Sequence, residues 1–205
     1  MSVKIRRLSI IVMLTALFST VACSSTPAPT PTAAPSSTPT VTPTTAHTDS
    51  DLLPIAPVFS VSTIDGENIR LEDLLGVTPV YLLFVPTTTD DLDISQMRLI
   101  QSQISEFDEL GADVVVVVSD QPNRVIEMRD DLVLGFPLIA DPLNVVASDW
   151  QVFDLNDDGK ASPASFVFDA HGSLIARLIA NEPENRPTVS EVLSVLEESL
   201  NVDAA

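Results

Sequence analysis

Residues 79–85 read PVYLLFV and residues 114–118 read VVVVV, and these two runs decide the fold. Continuous apolar runs of this length are typical of strands that are buried on both faces of a sheet. Between the runs, apolar residues recur at helical spacing, and Gly111 closes the pattern. The recurring residues are Ile94, Met97, Ile100, Ile104, Phe107 and Leu110. A strand, a helix and a second strand in this order predict parallel pairing in an α/β domain.

Shorter elements flank this centre on both sides. Two short strands are predicted at 58–62 and 69–71, followed by one helical turn over 71–75. Downstream, the pattern predicts a helix over 121–134, a short strand at 136–140, a short helix at 144–151, a hairpin with strands at 165–168 and 173–179, and a last helix. Thr188 and Glu191 form a capping box at the start of that helix. Since the hairpin adds antiparallel strands, we expect a three-layer α/β sandwich with a mixed central sheet.

The charge of the chain excludes two classes of partner. Of its 205 residues, 29 are acidic and 10 are basic, so the net charge is −19. Phosphate backbones and anionic lipid headgroups are bound by basic surfaces, and we therefore expect neither nucleic acid nor electrostatic lipid binding. His47 and His171 are too few and too isolated for a metal triad.

The first 23 residues are predicted to be a signal peptide. Basic residues at positions 4, 6 and 7 precede an apolar run over 8–21, which is shorter than the roughly 20 residues of a membrane span. Val21, Ala22 and Cys23 resemble the end of a bacterial lipobox, although Thr20 stands where leucine is usual. We therefore expect a lipid on Cys23 that anchors the protein to a membrane in the cell envelope, outside the cytoplasm. Ordinary cleavage after Ala22, or a Cys23 without a role, are the alternatives.

Residues 24–48 are predicted to be a disordered stalk, and residues 49–205 the folded domain. The stalk consists almost wholly of Ser, Thr, Pro and Ala, contains six prolines and carries no charged residue. Such a segment cannot bury enough apolar surface to offset the entropy of ordering it. All 29 acidic residues follow position 48, and removal of the signal peptide leaves 7 basic residues, so the remaining chain carries a net charge of −22.

Several motifs of the folded domain, taken together in order, resemble the peroxiredoxins, the redoxin group that includes alkyl hydroperoxide reductase and thiol-specific antioxidant. They are residues 56–59 (APVF), Asp65-Gly66, 71–76, 79–86, 114–119, 136–141, 150–153 and 163–169 with Gly172. The resemblance covers about residues 54–200. It implies a thioredoxin-like fold, with a cysteine thiolate at a helix start that attacks peroxide or exchanges disulfides.

The resemblance also locates the family's active site in this chain. The usual loop is Pro, three residues, Thr or Ser, two residues, Cys, and it begins here at Pro86. The threonine position is then Asp90, the cysteine position is Asp93, and the family's arginine falls at Pro163. Only the proline is kept, so no catalytic residue is expected.

A second alignment, to thioredoxin-like Cys-x-x-Cys proteins, leads to the same conclusion. It places the two thiols at about Thr89 and Leu92, and it makes Pro163 the cis-proline beside the active site. The single cysteine of the chain is Cys23, so no disulfide can form within the chain and the domain contains no thiol nucleophile in either register.

The acidic residues of the loop have a structural explanation. Asp90, Asp91 and Asp93 are expected to cap the helix that follows, and a cation site is the alternative. A carboxylate has no electrons to give to a peroxide, so Asp93 cannot replace the family's cysteine.

Residues 154–159 (DLNDDG) resemble the start of a calcium-binding loop. Asp154, Asn156 and Asp158 supply oxygens at positions 1, 3 and 5, and Gly159 stands at position 6. The twelfth position is Ser165 instead of glutamate, so the bidentate ligand is missing. A partial Ca²⁺ site and an ordinary polar loop both remain open.

These observations predict a lipid-anchored domain of the redoxin family that is redox-inactive and acts as a binding or scaffold module. No cofactor is expected. A protein partner of unknown identity could use the face around Pro86, Asp93 and Pro163. One alternative is a thiol peroxidase or thiol-disulfide oxidoreductase that uses a cysteine from elsewhere. A second alternative is a calcium-dependent surface interaction domain.

Overall fold

The structure is a computed structural model, and it describes residues 56–180, 182 and 184–203. The predicted signal peptide, the predicted stalk and Cys23 lie outside the described residues. None of the described helices is long and apolar enough to cross a membrane.

The described residues form seven strands and six helices. The strands are β1 Ser60–Ser62, β2 Asn68–Arg70, β3 Val80–Val85, β4 Asp113–Val118, β5 Leu138–Ala140, β6 Ala164–Phe168 and β7 Leu174–Ile179. The helices are α1 Leu71–Leu74, α2 Asp91–Ser102, α3 Ile104–Glu109, α4 Pro122–Leu132, α5 Val145–Asp149 and α6 Val189–Asp203.

A mixed five-stranded sheet in the order β5-β4-β3-β6-β7 forms the centre of the fold. β3, β4 and β5 pair in parallel, whereas β6 and β7 pair antiparallel to their neighbours. β1 and β2 form a separate antiparallel hairpin. Every side chain of β3 is fully buried, because both faces of this central strand are covered.

Helices cover the sheet on both faces, which makes three layers. One core contains Tyr81, Val116 and residues of α2, α3, α4 and α6. The opposite core is built around Trp150, which packs edge-on against Phe166 at 4.6 Å between ring centroids. The predicted α/β class and the thioredoxin-like mixed sheet are confirmed.

Two helix boundaries differ from the sequence prediction. The helix expected through Leu110 is broken at Gln103, whose φ of −109° and ψ of 13° separate α2 from α3. The helix expected to reach Leu134 ends at Leu132, and Val133 adopts a left-handed conformation with φ of +53°. Helical spacing continues across both breaks, so periodicity alone could not reveal them.

The capping box at the last helix is confirmed. The Glu191 carboxylate accepts from the Thr188 N–H at 3.0 Å, and the Thr188 hydroxyl accepts from the Glu191 N–H at 3.2 Å. This pair fixes the start of α6 and therefore the path of the segment just before it, which reaches the candidate site.

Candidate functional site

The loop that follows β3 leads from Pro86 to the start of α2, as the resemblance to the family predicted. Pro86 comes directly after the fully buried strand, and α2 begins five residues later at Asp91. Asp90 is the N-cap of α2, and its Oδ1 accepts from the Leu92 N–H at 2.9 Å. The prediction that Asp90 caps this helix is therefore confirmed.

Asp93, to which the resemblance assigns the position of the family's cysteine, does not act as an exposed cap. Its side chain is fully buried in the first turn of α2, and its Oδ1 forms a hydrogen-bonded ion pair with the guanidinium of Arg186. The other oxygen, Oδ2, accepts no hydrogen bond from the described residues. The purely capping role expected for Asp93 is wrong, because the tertiary fold brings an arginine to it.

Arg186 belongs to the segment that leads into α6, and it connects two acidic residues of the loop. Its second terminal nitrogen lies 3.5 Å from Oδ1 of Asp90, and its side chain is 11% exposed. One turn beyond Asp93, Gln96 donates from Nε2 to the carbonyl of Pro187 at 3.3 Å. The positive charge beside these two carboxylates is therefore that of an arginine of the chain. Among the described residues, no cluster of three or more His, Cys, Asp or Glu is arranged to hold a metal.

Burial controls the protonation of Asp93. It raises the pKa of this carboxyl from 3.8 to about 6, and the charge of Asp90 acts in the same direction. The hydrogen bond and the positive charge of Arg186 oppose the rise. The carboxyl is therefore poised to gain a proton in mildly acidic solution.

A second polar contact holds the threonine-rich part of the loop. Thr88 donates its hydroxyl to Oδ2 of Asp120 at 2.6 Å and its N–H to the same oxygen at 3.3 Å. Partial burial raises the pKa of Asp120, but these bonds, the Gln121 N–H and the charge of Arg124 outweigh it and hold the pKa below its usual value. A cavity of about 380 Å³ lies between Thr88 and α4, with Arg124 and Glu127 in its lining.

Pro163 lies at the end of the sheet where this loop begins. Ala164 pairs with Phe84, so the preceding Pro163 is level with Val85, next to Pro86. The described residues contain no cis peptide bond, so the bond before Pro163 is trans. The cis-proline expected from the Cys-x-x-Cys alignment is wrong. Proline has no charged group, so the family's arginine has no replacement at this position.

The proposed calcium ligands lie together in the loop before β6, but each of them makes a hydrogen bond within the loop itself. Oδ1 of Asp154 accepts from the Gly159 N–H at 2.7 Å. Oδ1 of Asp158 accepts from the Lys160 N–H at 3.1 Å, and Asn156 donates to the Ser162 hydroxyl at 3.2 Å. These bonds are those of a polar loop, and they give the calcium hypothesis no added support.

Arg186 is the functional-site residue that sequence reasoning missed. It stands 93 positions after Asp93, outside every motif of the family alignment. The one signal in the sequence is that Arg186 is the only basic residue after Arg177. That signal does not specify a partner, because ion pairing over such a separation depends on the fold.

The comparisons with known proteins agree with this architecture. The model of the AhpC/TSA family matches residues 54–177, more than half of the chain, and the chain belongs to this family, that of the peroxiredoxins. It is 30% identical over 138 residues to a protein described as "Putative peroxiredoxin ycf42" of Trieres chinensis, a match that covers 63% of this chain and 65% of that relative. The chain thus spans slightly less than two thirds of that protein's length.

Two further proteins extend the comparison. Peroxiredoxin Bcp of Escherichia coli is 26% identical over 125 residues, which cover 58% of this chain and 80% of Bcp. The crystal structure of peroxidoxin BcpB from Mycobacterium tuberculosis superposes with a TM-score of 0.60 at 19% identity, covering 70% of this chain and 94% of that one. At this identity the superposition shows a shared fold.

Proposed function

We propose that this protein is a redox-inactive member of the peroxiredoxin family that acts as a binding or scaffold module outside the cytoplasm. The single observation that carries the proposal is Asp93, which lies buried and ion-paired at the position of the family's cysteine. The domain keeps the strand, the loop and the helix of the family site, but the group that reacts with peroxide is replaced.

The chemistry of the replacement supports inactivity. In the family reaction, a thiolate sulfur attacks one peroxide oxygen, the O–O bond breaks, and the sulfur loses two electrons as it becomes a sulfenic acid. The carboxylate of Asp93 contains no sulfur or other atom that peroxide readily oxidises, so it cannot take up an oxygen atom in this way. In addition, Arg186 is paired with both Asp90 and Asp93.

The remaining surface supports a role in binding. The loop that contains Pro86 and Thr88 is bonded to Asp120 through Thr88, which also lines the adjacent cavity. A rigid loop on a stable scaffold is suited to recognition of a partner. A lipid on Cys23 and the stalk over 24–48 would tether the domain to a membrane.

Peroxide consumption by the purified full chain tests the proposal. With dithiothreitol as the reductant, we expect the full chain to consume hydrogen peroxide no faster than a Cys23→Ser variant does. The Cys23→Ser variant is the matched control, because it removes the only thiol of the chain. Turnover that survives in this variant would overturn the proposal.

The names of the relatives favour a second candidate function, that of a thiol peroxidase. The reacting thiol would then come from another chain, or from Cys23. Peroxide turnover that is present in the wild-type chain and lost in Cys23→Ser would support Cys23. Turnover that appears only after addition of a second thiol protein would support a thiol from another chain.

The anchor is tested separately. We expect the wild-type chain, expressed in a bacterium that processes lipoproteins, to partition into the detergent phase of a Triton X-114 extract. The Cys23→Ser variant is expected in the aqueous phase. Equal partitioning of both would contradict lipidation at Cys23 and leave the proposal on inactivity unaffected.

A further inference from the structure

A second cavity lies at the end of the sheet opposite to Asp93. It has a volume of about 520 Å³, and its lining includes the first residues of β4. Asp113 at the start of β4 pairs with Val80, whereas Val118 pairs with Val85 just before Pro86. With about 3.3 Å per residue, the two sites are separated by roughly 17 Å along the sheet. This cavity is therefore distinct from the family's active site.

The edge of β4 is unpaired where it borders this cavity. β5 pairs with β4 only from Val116 onward, and the Val116 N–H donates to the Pro137 carbonyl at 3.1 Å. Pro137 has no N–H, so it cannot donate to the Val114 carbonyl, which points to the same side. Outside the pairing of β4 with β3, none of the hydrogen bonds of the described residues involves the N–H or the C=O of Val114. Val114 is only 4% exposed, and buried backbone groups normally have partners.

The rim of the cavity is acidic and its floor is apolar. Glu67, Asp73, Asp108 and Asp113 lie in the lining together with a single basic residue, Arg70. Arg70 is already paired with Glu72 and Asp73, and Asp113 accepts from the Thr78 hydroxyl at 2.6 Å. Glu67 and Asp108 have no ion-pair partner among the described residues. Ile104, Phe136 and Pro137 supply apolar surface.

We propose that this cavity binds a short, extended peptide segment that carries basic side chains. The peptide backbone satisfies the N–H and C=O of Val114 as an added strand beside β4, in continuation of β5. Its basic side chains lie against Glu67 and Asp108, and its apolar atoms contact the floor. A cavity of this volume is within the usual range for small ligands.

The charges of the chain decide which peptide fits. The predicted stalk carries no charged residue, so it does not match the acidic rim. A second copy of the chain is also disfavoured, since each copy after position 23 carries a net charge of −22. The ligand is therefore a basic segment of another protein. The inference does not depend on whether the site at Asp93 has redox activity.

Titration of the full chain, labelled with ¹⁵N at valine and kept in mild detergent, tests the proposal. The probe is the tripeptide acetyl-Lys-Val-Lys-amide, and the readout is the amide resonance of Val114. We expect this resonance to shift saturably with the basic peptide and to remain unchanged with acetyl-Glu-Val-Glu-amide. Spermidine, which has charge but no amide, is expected to leave the Val114 resonance in place.

A charge-reversed variant adds a second readout. Glu67→Lys with Asp108→Lys is expected to weaken binding of the basic peptide at least tenfold, because both changed side chains are exposed on the rim. The matched control, Glu197→Lys with Glu198→Lys on α6, changes the net charge equally and is expected to bind as the wild type does. Three results with the wild-type chain would each overturn the proposal. They are a Val114 resonance that does not move with the basic peptide, an equal shift of this resonance with both peptides, and an equal shift with spermidine.

Discussion

Asp93 and Arg186 are 93 residues apart in sequence, and their side chains form an ion pair that is buried at the start of α2. The pair joins the loop after β3 to the segment before α6. In the proposed function, this electrostatic contact stands where the family has a reactive thiol. A buried carboxylate that loses its partner is strongly destabilising, so we expect this contact to stabilise the fold.

Removal of the arginine should therefore destabilise the fold. We expect Arg186→Ala to lower the free energy of unfolding at pH 7.5 by about 3–5 kcal/mol, since Asp93 would remain buried without its partner. Urea denaturation followed by circular dichroism measures the change. Arg98→Ala is the matched control, because Arg98 is an exposed residue of α2 and should change stability by less than about 0.5 kcal/mol.

The double variant Asp93→Asn with Arg186→Met separates the ion pair from packing. It should be more stable than Arg186→Ala alone by about 1 kcal/mol or more, because no uncompensated charge is left in the core. A double variant as unstable as the single one would mean that the arginine stabilises the fold by its packing instead of its charge.

The raised pKa of Asp93 predicts an unusual dependence of stability on pH. The folded protein holds the proton of the Asp93 carboxyl more tightly than the unfolded chain does. The contribution of Asp93 to the free energy of unfolding is therefore fully present below about pH 3.8. It is lost as the pH rises through about 6. Relative to Asp93→Asn, the wild-type chain should gain about 1–3 kcal/mol in unfolding free energy between pH 7.5 and pH 4.5.

Asp120 should act in the opposite direction. Its pKa is lowered in the folded state, so its stabilising contribution is present above the unfolded pKa and is lost as the pH falls. Urea titrations of the wild type, Asp93→Asn and Asp120→Asn at four pH values between 4.5 and 7.5 measure both effects. An identical pH profile for the wild type and Asp93→Asn would contradict a raised pKa at Asp93.

Restoring the thiol should restore part of the family chemistry. In Asp93→Cys, the helix N-terminus and Arg186 both favour a thiolate at this position. We expect hydrogen peroxide to convert this thiol to a sulfenic acid, with release of water, and dimedone labelling followed by mass spectrometry detects the product. The comparison is made in a Cys23→Ser background, so that the new thiol is the only one.

Ser95→Cys in the same background is the matched control for that experiment. Ser95 is exposed on α2, so its replacement gives an accessible thiol farther from Arg186 and from the helix end. It should form sulfenic acid more slowly than Asp93→Cys. Equal or faster labelling of Ser95→Cys would show that the environment of position 93 no longer activates sulfur.

Calcium should have no effect on the stability of the domain. Oxygens of Asp154 and Asp158 already accept hydrogen bonds from the loop backbone, and the loop lacks the carboxylate at its twelfth position. We expect 1 mM Ca²⁺ (about the free concentration at which weak extracellular sites fill) to leave the melting temperature unchanged. A rise with Ca²⁺ that disappears in Asp154→Ala would establish the calcium site.

The sequence by itself determined the scaffold. Two buried-strand runs, the helical spacing between them and the hairpin around Gly172 are local patterns, and each of them predicts its element without knowledge of the rest. The loss of the thiol was equally evident, because it follows from the position of a single cysteine at residue 23. The resemblance to the family also pointed to Asp90 and Asp93, which lie at the start of α2.

Only the tertiary structure decided what those residues do. Asp93 meets Arg186, and Val114 faces the end of β5 at Pro137, because distant segments are brought together by the fold. An ion pair or an unpaired strand edge depends on distances in space, on burial and on strand register. None of these quantities is recorded in the local periodicity of the chain, so sequence patterns predicted the elements and the fold assigned their contacts.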